Sequence, residues 1–85
     1  MKILHIIRKL DDQRALATAR THALEYPTAI LLIQDAVLTR IDDFPGAIYA
    51  CAEDVAARTP IGGYDEMDYD RIVQLLFEYD KVISW

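Results

Sequence analysis

The chain has 85 residues, 53% of them hydrophobic, and a formal net charge of −5. This length fits one small domain, whose limited core makes an oligomer a reasonable expectation. The acidic balance argues against direct contact with nucleic acid or an anionic membrane, because both need clustered Lys and Arg side chains.

The amino terminus predicts a first strand over Ile3–Ile7. Met1–Ile7 is too short for the apolar segment of a signal peptide, since His5 interrupts it and Arg8-Lys9 close it. No apolar run in the sequence approaches the roughly 18 residues that cross a bilayer. The single cysteine permits no internal disulfide, which is typical of a reducing cytoplasm. We therefore expect a cytoplasmic protein without membrane contact.

A helix is predicted after the first strand. Asp11 or Asp12 can cap its start, because an Asp side chain accepts hydrogen bonds from first-turn amides. The helix ends at or shortly before Pro27. Apolar residues recur at helical spacing between these limits. The predicted buried face comprises Leu16, Ala19, Ala23 and Leu24.

The stretch Ala29–Ile33 predicts a central strand, because its apolar residues run without alternation, as in a strand covered on both faces. Gln34 and Asp35 follow directly. In open α/β sheets, ligands and partners are met at the carboxyl ends of the strands. Any function is therefore expected at that edge.

The second half of the chain continues the alternation of strands and helices. Asp68 is a predicted cap, with Met67 and Ile72 placed as a hydrophobic staple across it. The predicted segments are a short helix or turn at Ala36–Ile41, a strand at Ala47–Cys51, helical turns at Val55–Arg58, a loop at Thr59–Tyr64 with a short strand at its edge, a helix with core residues Ile72, Leu75, Leu76 and Tyr79, and a strand or tail at Lys81–Trp85.

This order predicts a mostly parallel sheet of four to five strands with helices on both faces. The expected fold is a small three-layer α/β sandwich of the flavodoxin-like or Rossmann-like kind, with residues 1–85 forming one domain.

Cofactor and metal chemistry find little support in the sequence. The first strand–helix loop contains Arg8 and Lys9 but no glycine, and its two aspartates would repel a phosphate. Neither nucleotide, flavin nor any other cofactor is predicted. His5 lies inside a strand as a core or interface histidine, while His22 lies on the polar side of the helix. Their spacing is not that of metal ligands, so no metal site is predicted.

Cys51 is the strongest candidate for a reactive residue. It ends the third strand just before a helix start, a position that lowers the pKa of a thiol. Glu53 and Asp54 act in the opposite sense, because neighbouring carboxylates disfavour a thiolate. Free cysteine is also among the most commonly buried residue types, so a structural role is the simpler interpretation.

Four segments and the last residue together resemble the DsrH/TusB family. The resemblance spans nearly the whole chain in the family's order and spacing. The segments are LHIIRK at 4–9, LIQDAV at 32–37, IYACAEDVAAR at 48–58 and YDRIVQL at 69–75, with Trp85 at the end.

The resemblance implies a DsrE-like fold and a subunit of a sulfur-relay assembly. Such subunits sit with TusC/DsrF-like and TusD/DsrE-like partners in a dimer of heterotrimers. The assembly passes persulfide sulfur between proteins, toward 2-thiouridine at the tRNA wobble position or within dissimilatory sulfur oxidation. The acidic charge implies that another protein of the relay meets the tRNA.

The chain departs from the family at several positions. Some relatives carry a candidate sulfur-handling cysteine near the first helix, but none lies between Asp11 and Tyr26 here. Cys51 stands where relatives often have an apolar residue, so the resemblance gives it no catalytic role. Ala36 and Thr59 replace common glycines.

Two principal hypotheses follow. In the first, the chain is a non-catalytic interaction subunit of a sulfurtransferase complex. In the second, it is a sulfurtransferase that carries a persulfide on Cys51, with exchange governed by thiol pKa and access. A homo-oligomeric relative with another task stays open, because fold does not fix function. The first hypothesis predicts a partner interface formed by Gln34, Asp35, Glu53, Asp54 and Trp85. Two alternatives stay open, since Gln34-Asp35 could simply cap a helix and Trp85 could simply cover the core.

Overall fold

The computed structural model describes residues 1–58 and 63–85. They form a five-stranded, all-parallel sheet with strand order β4-β3-β2-β1-β5. The elements in chain order are β1 (Ile3–Ile7), α1 (Gln13–Ala23), β2 (Thr28–Leu32), a 3₁₀ helix (Gln34–Leu38), β3 (Ile48–Cys51), α2 (Ala52–Arg58), β4 (Asp65–Met67), α3 (Tyr69–Glu78) and β5 (Lys81–Ser84). The predicted three-layer α/β sandwich is confirmed.

The central strand is the best-predicted element. All five residues of β2 are buried, because β1 and β3 flank it in the sheet and helices cover it above and below. The observed strand begins at Thr28, one residue before the predicted start, and ends at Leu32. The bounds predicted for β1 are those observed.

The two faces of the sheet carry separate apolar clusters. Alternate residues of β1 point to opposite faces, so Ile7 packs in the cluster under α1, the 3₁₀ helix and α2. Leu4 belongs to the other cluster, under α3. Leu75 is the fully buried residue through which α3 enters that second cluster.

Aspartates cap the two long helices, as predicted. The Asp12 carboxylate accepts a hydrogen bond from the Ala15 amide at 3.1 Å, and Asp68 does the same for the Arg71 amide at 2.9 Å. Each cap satisfies a first-turn amide that has no partner within the helix.

Two leucines assigned to the core are exposed, and these predictions were wrong. Leu24 is 84% exposed, because α1 ends at Ala23 and Leu24 is the C-cap residue, beyond the face that the helix packs on the sheet. Leu76 is 36% exposed. It lies about 100° around the helix from Leu75, at the margin of the buried stripe.

The short elements differ in detail from expectation. The 3₁₀ helix begins two residues before the predicted Ala36–Ile41 segment, and α2 begins at Ala52, so Glu53 and Asp54 form its first turn. Of the predicted loop, residues 59–62 lie outside the described part of the chain. The short strand predicted at its edge is β4. Within the described ranges, no helix has the length and apolar character needed to cross a membrane.

Candidate functional site at the carboxyl edge of the sheet

Parallel pairing brings the ends of β2 and β3 side by side. Leu32 is in register with Ala50, so the residues that follow each strand emerge at the same edge. Gln34 and Asp35 therefore lie beside the start of α2, as the sequence predicted for this edge.

The Asp54 carboxylate joins the two strand ends. Its Oδ2 accepts a hydrogen bond from the backbone amide of Gln34 at 2.7 Å. Gln34 has φ 51°, in the left-handed region that few non-glycine residues occupy. The 3₁₀ helix has no side-chain cap, so the cap interpretation of Gln34-Asp35 was wrong. Instead, the turn at Gln34 is held by the hydrogen bond from its amide to Asp54 of α2.

Arg58 completes the group, and sequence reasoning missed it. Its Nε donates to Asp35 Oδ1 at 2.9 Å, and its Nη1 donates to Asp54 Oδ1 at 3.3 Å. The hydrogen bond to Asp35 is the main cause that raises the pKa of Arg58. The only signal in the sequence was the i,i+4 spacing of Asp54 and Arg58 on one helix. We call Gln34, Asp35, Asp54 and Arg58 the edge cluster.

The members of the edge cluster differ in what they present to solvent. The Asp35 side chain is 68% exposed, whereas that of Asp54 is 25% exposed. Asp54 therefore makes the contacts that hold the cluster together, and Asp35 is the carboxylate that a partner could reach. Glu53 is also exposed, in the first turn of the same helix.

Two exposed leucines lie in the loops at this edge and were not singled out from the sequence. Leu10 follows β1, and Leu38 ends the 3₁₀ helix. The Asp11 amide donates to the Thr39 hydroxyl at 3.0 Å, which ties the two loops together. The edge therefore combines apolar side chains with charged ones, a composition suited to binding another protein.

Cys51 lies at the end of β3 and is partly buried. Burial raises the pKa of its thiol. Asp54 contributes in both senses, since its backbone amide stabilises the thiolate while its carboxylate disfavours it. A thiol whose pKa is raised is mostly protonated at neutral pH and is a weak nucleophile.

Trp85 lies at the same edge, beyond the end of β5 and two strands away from β2. Its Nε1–H donates to His5 Nδ1 at 2.9 Å, and His5 Nε2 lies 2.9 Å from His22 Nδ1. Because an indole can only donate, His5 Nδ1 must accept, so the His5 proton lies on Nε2 and is donated to His22. The indole is half-buried by this arrangement, and its role as a partner anchor stays a prediction.

A cleft of ligand size lies apart from the edge cluster, none of whose residues line it. This cleft, of about 450 Å³, opens at the opposite edge, where the strands begin, and is lined in part by Lys2, Tyr26 and Tyr79. Among residues 1–58 and 63–85, no group of three or more His, Cys, Asp or Glu side chains is placed to hold a metal ion.

Comparison with known proteins gives a similarity in structure but none in sequence. No family model matches the chain, and no curated protein does. The crystal structure of the ychN protein from E. coli superposes with a TM-score of 0.77 at 16% sequence identity, over 100% of this chain and 99% of the other. The chain therefore has the DsrE-like fold.

Proposed function

We propose that the chain is a non-catalytic interaction subunit of a persulfide-relay assembly. It would stand beside TusC/DsrF-like and TusD/DsrE-like subunits and serve 2-thiolation of the tRNA wobble uridine. The DsrE-like fold supports the class of assembly. The segments that resemble the DsrH/TusB family support the choice of subunit.

The observation that carries the non-catalytic role is the environment of Cys51. It is the chain's single cysteine, so a persulfide could form only there. Burial raises the pKa of its thiol, and the Asp54 carboxylate raises it further. A persulfide carrier needs the opposite environment, since the thiolate attacks the donor sulfur.

The edge cluster supports the interaction role. The Arg58 guanidinium pairs with Asp35 at 2.9 Å and orients its carboxylate, and the exposed Leu10 and Leu38 lie at the same edge. An oriented carboxylate and apolar side chains at one edge provide both register and buried area to a partner protein.

The competing function is a persulfide carrier, and one feature favours it. Cys51 directly precedes α2, and the backbone amides of Glu53 and Asp54 stabilise its thiolate. In that mechanism the Cys51 thiolate attacks the outer sulfur of a donor persulfide. The S–S bond of the donor breaks, the donor leaves as a thiolate, and Cys51 retains the sulfur as a persulfide.

Intact-mass spectrometry separates the two functions. The native protein is incubated with a persulfide-loaded donor protein, with Cys51→Ser as the matched control. We expect no gain of a sulfur mass. A gain that reductant reverses and that Cys51→Ser abolishes would establish the carrier function and refute the non-catalytic one.

Copurification tests the partnership directly. We expect the wild-type chain to be retained by an immobilised pair of TusC/DsrF-like and TusD/DsrE-like subunits. Asp35→Lys should lose this retention, whereas Lys9→Ala, also exposed at this edge, should keep most of it. A wild-type chain that is not retained would contradict the proposed assembly.

A further inference from the structure

Three aromatic rings from separate parts of the fold are joined by hydrogen bonds on the α1 face of the sheet. His5 lies in β1, His22 lies in the last turn of α1, and Trp85 follows β5. The Trp85 Nε1–H donates to His5 Nδ1 at 2.9 Å, and His5 Nε2 lies 2.9 Å from His22 Nδ1. The indole and the His5 ring are also stacked, with centroids 6.1 Å apart. We call His5, His22 and Trp85 the ring triad.

The ring triad accommodates one arrangement of protons. Because the indole only donates, His5 Nδ1 accepts, and the His5 proton lies on Nε2 and points at His22. His22 Nδ1 must then accept that proton, so the proton of His22 itself lies on its Nε2. Both imidazoles are therefore neutral when the two hydrogen bonds are made, and each bond fixes the tautomer that the other one needs.

One additional proton disrupts the ring triad at either histidine. On His5 it occupies Nδ1 and faces the Trp85 N–H. On His22 it occupies Nδ1 and faces the His5 N–H. The two histidines can then remain bonded only if the His5 proton moves to Nδ1, where it again faces the indole. If His22 turns away instead, the buried His5 N–H is left without an acceptor, which costs about 1–3 kcal/mol.

Trp85 is the member of the ring triad that leaves at the least cost. β5 is an edge strand that pairs with β1 alone. Beyond it, the Trp85 amide donates to the Ile6 carbonyl at 2.9 Å, and the indole is only partly buried. His5 is fully buried in a strand that is paired on both sides. Segments with few buried contacts and few paired backbone groups open before the core does, so the conflict is relieved by displacement of Trp85.

The surroundings of the ring triad leave its two histidines as the groups that titrate between pH 7 and pH 5. β2 places the apolar Ile30 beside His5. β5 places Ile83 beside it and Lys81 two residues earlier on the same face, and lysine side chains keep their charge over this range. α1 contributes His22 itself. Within the described ranges, neither imidazole is hydrogen-bonded to a carboxylate.

We propose that the ring triad is a pH switch, which holds Trp85 on the sheet at neutral pH and releases it from an otherwise folded domain when the two imidazoles take up one proton. Burial, and then His22, lower the pKa of His5 from 6.5 to about 4 while Trp85 is held. Release admits water to the ring and returns its pKa toward the ordinary value. Release is therefore favoured by up to about 20-fold at pH 5 relative to pH 7. The switch needs no sulfur chemistry, so it stands or falls separately from the proposed relay function.

Fluorescence tests the switch directly, because Trp85 is the single tryptophan of the chain. Acrylamide quenching of the indole is measured at pH 7 and pH 5, with far-UV circular dichroism of the same samples. We expect the quenching constant of the wild-type protein to rise severalfold at pH 5 while the dichroism stays native. Arg14→Gln is the matched control, since Arg14 is exposed on α1 and lies outside the ring triad. It should show the same rise as the wild-type protein.

His5→Gln separates the switch from a general effect of acid. The glutamine amide accepts from Trp85 and donates to His22 without titrating, so quenching should stay at its neutral value at both pH values. A wild-type quenching constant that does not change, a rise that persists in His5→Gln, or a rise that accompanies loss of the native dichroism would overturn the proposal. The last result would show that acid unfolds the whole domain.

Proton NMR of the wild-type protein gives a second test, which does not depend on the folding of a variant. The single indole N–H resonance should move toward the position of free tryptophan over the same pH range in which the His5 ring protons titrate. An indole resonance that stays in place while His5 titrates would also refute the switch.

Discussion

Acidification should destabilise this protein mainly through His5. The imidazole is fully buried between Trp85 and His22, and both of its nitrogens are engaged. A second proton on Nδ1 would point at the Trp85 N–H and break that hydrogen bond. Burial, and then the neighbouring His22, lower the pKa of His5 from 6.5 to about 4.

The sign and size of the effect follow from the two pKa values. In the unfolded chain His5 has its ordinary pKa, so the unfolded state takes up a proton before the folded state does. The stability that depends on neutral His5 is complete above pH 6.5 and is lost as the pH falls toward 4. At 1.36 kcal/mol per unit of pKa shift, the loss is about 2 kcal/mol at pH 5. That is a large part of the stability of a small domain.

Urea unfolding of the wild-type protein and of His5→Gln, at neutral pH and at about pH 5, measures the effect. A glutamine amide can donate toward His22 and accept from Trp85, but it does not titrate. The carboxylates titrate in both proteins, so the wild-type protein should lose about 2 kcal/mol more than the variant. Equal losses in the two proteins would refute the assignment of the acid sensitivity to His5.

Three further outcomes are expected. Gly46→Ala should lower the unfolding free energy by about 2–3 kcal/mol in urea denaturation, because a Cβ there would lie 1.9 Å from the Thr28 carbonyl oxygen. A variant as stable as the wild-type protein would show that the backbone at Gly46 can move away from Thr28 at little cost. Asp68→Ala should cost about 1 kcal/mol by the same measurement, since the Arg71 amide loses its cap, and an unchanged midpoint would contradict that role. Cys51 should react slowly with iodoacetamide in the native protein and quickly in urea, because burial raises its pKa; equal rates would show an accessible thiolate.

The fold was predictable because its signals are local. The uninterrupted apolar run of β2 indicates a strand covered on both faces, and the structure places it at the centre of the sheet. Asp12 and Asp68 act within three residues along the chain, so a cap can be recognised without knowing the tertiary structure. The error at Leu24 arose because α1 ends one residue earlier. The error at Leu76 arose because this residue directly follows Leu75, which is the buried one of the two.

The candidate site was only half predictable for the same physical reason. Gln34, Asp35 and Asp54 were singled out because the ends of parallel strands meet at one edge. Arg58 was missed, since its bond to Asp35 crosses 23 residues of sequence. The contact between His5 and Trp85 spans 80 residues. No sequence pattern within one strand or helix indicates such a pair. His5 and Trp85 meet only because β5 lies beside β1 in the sheet.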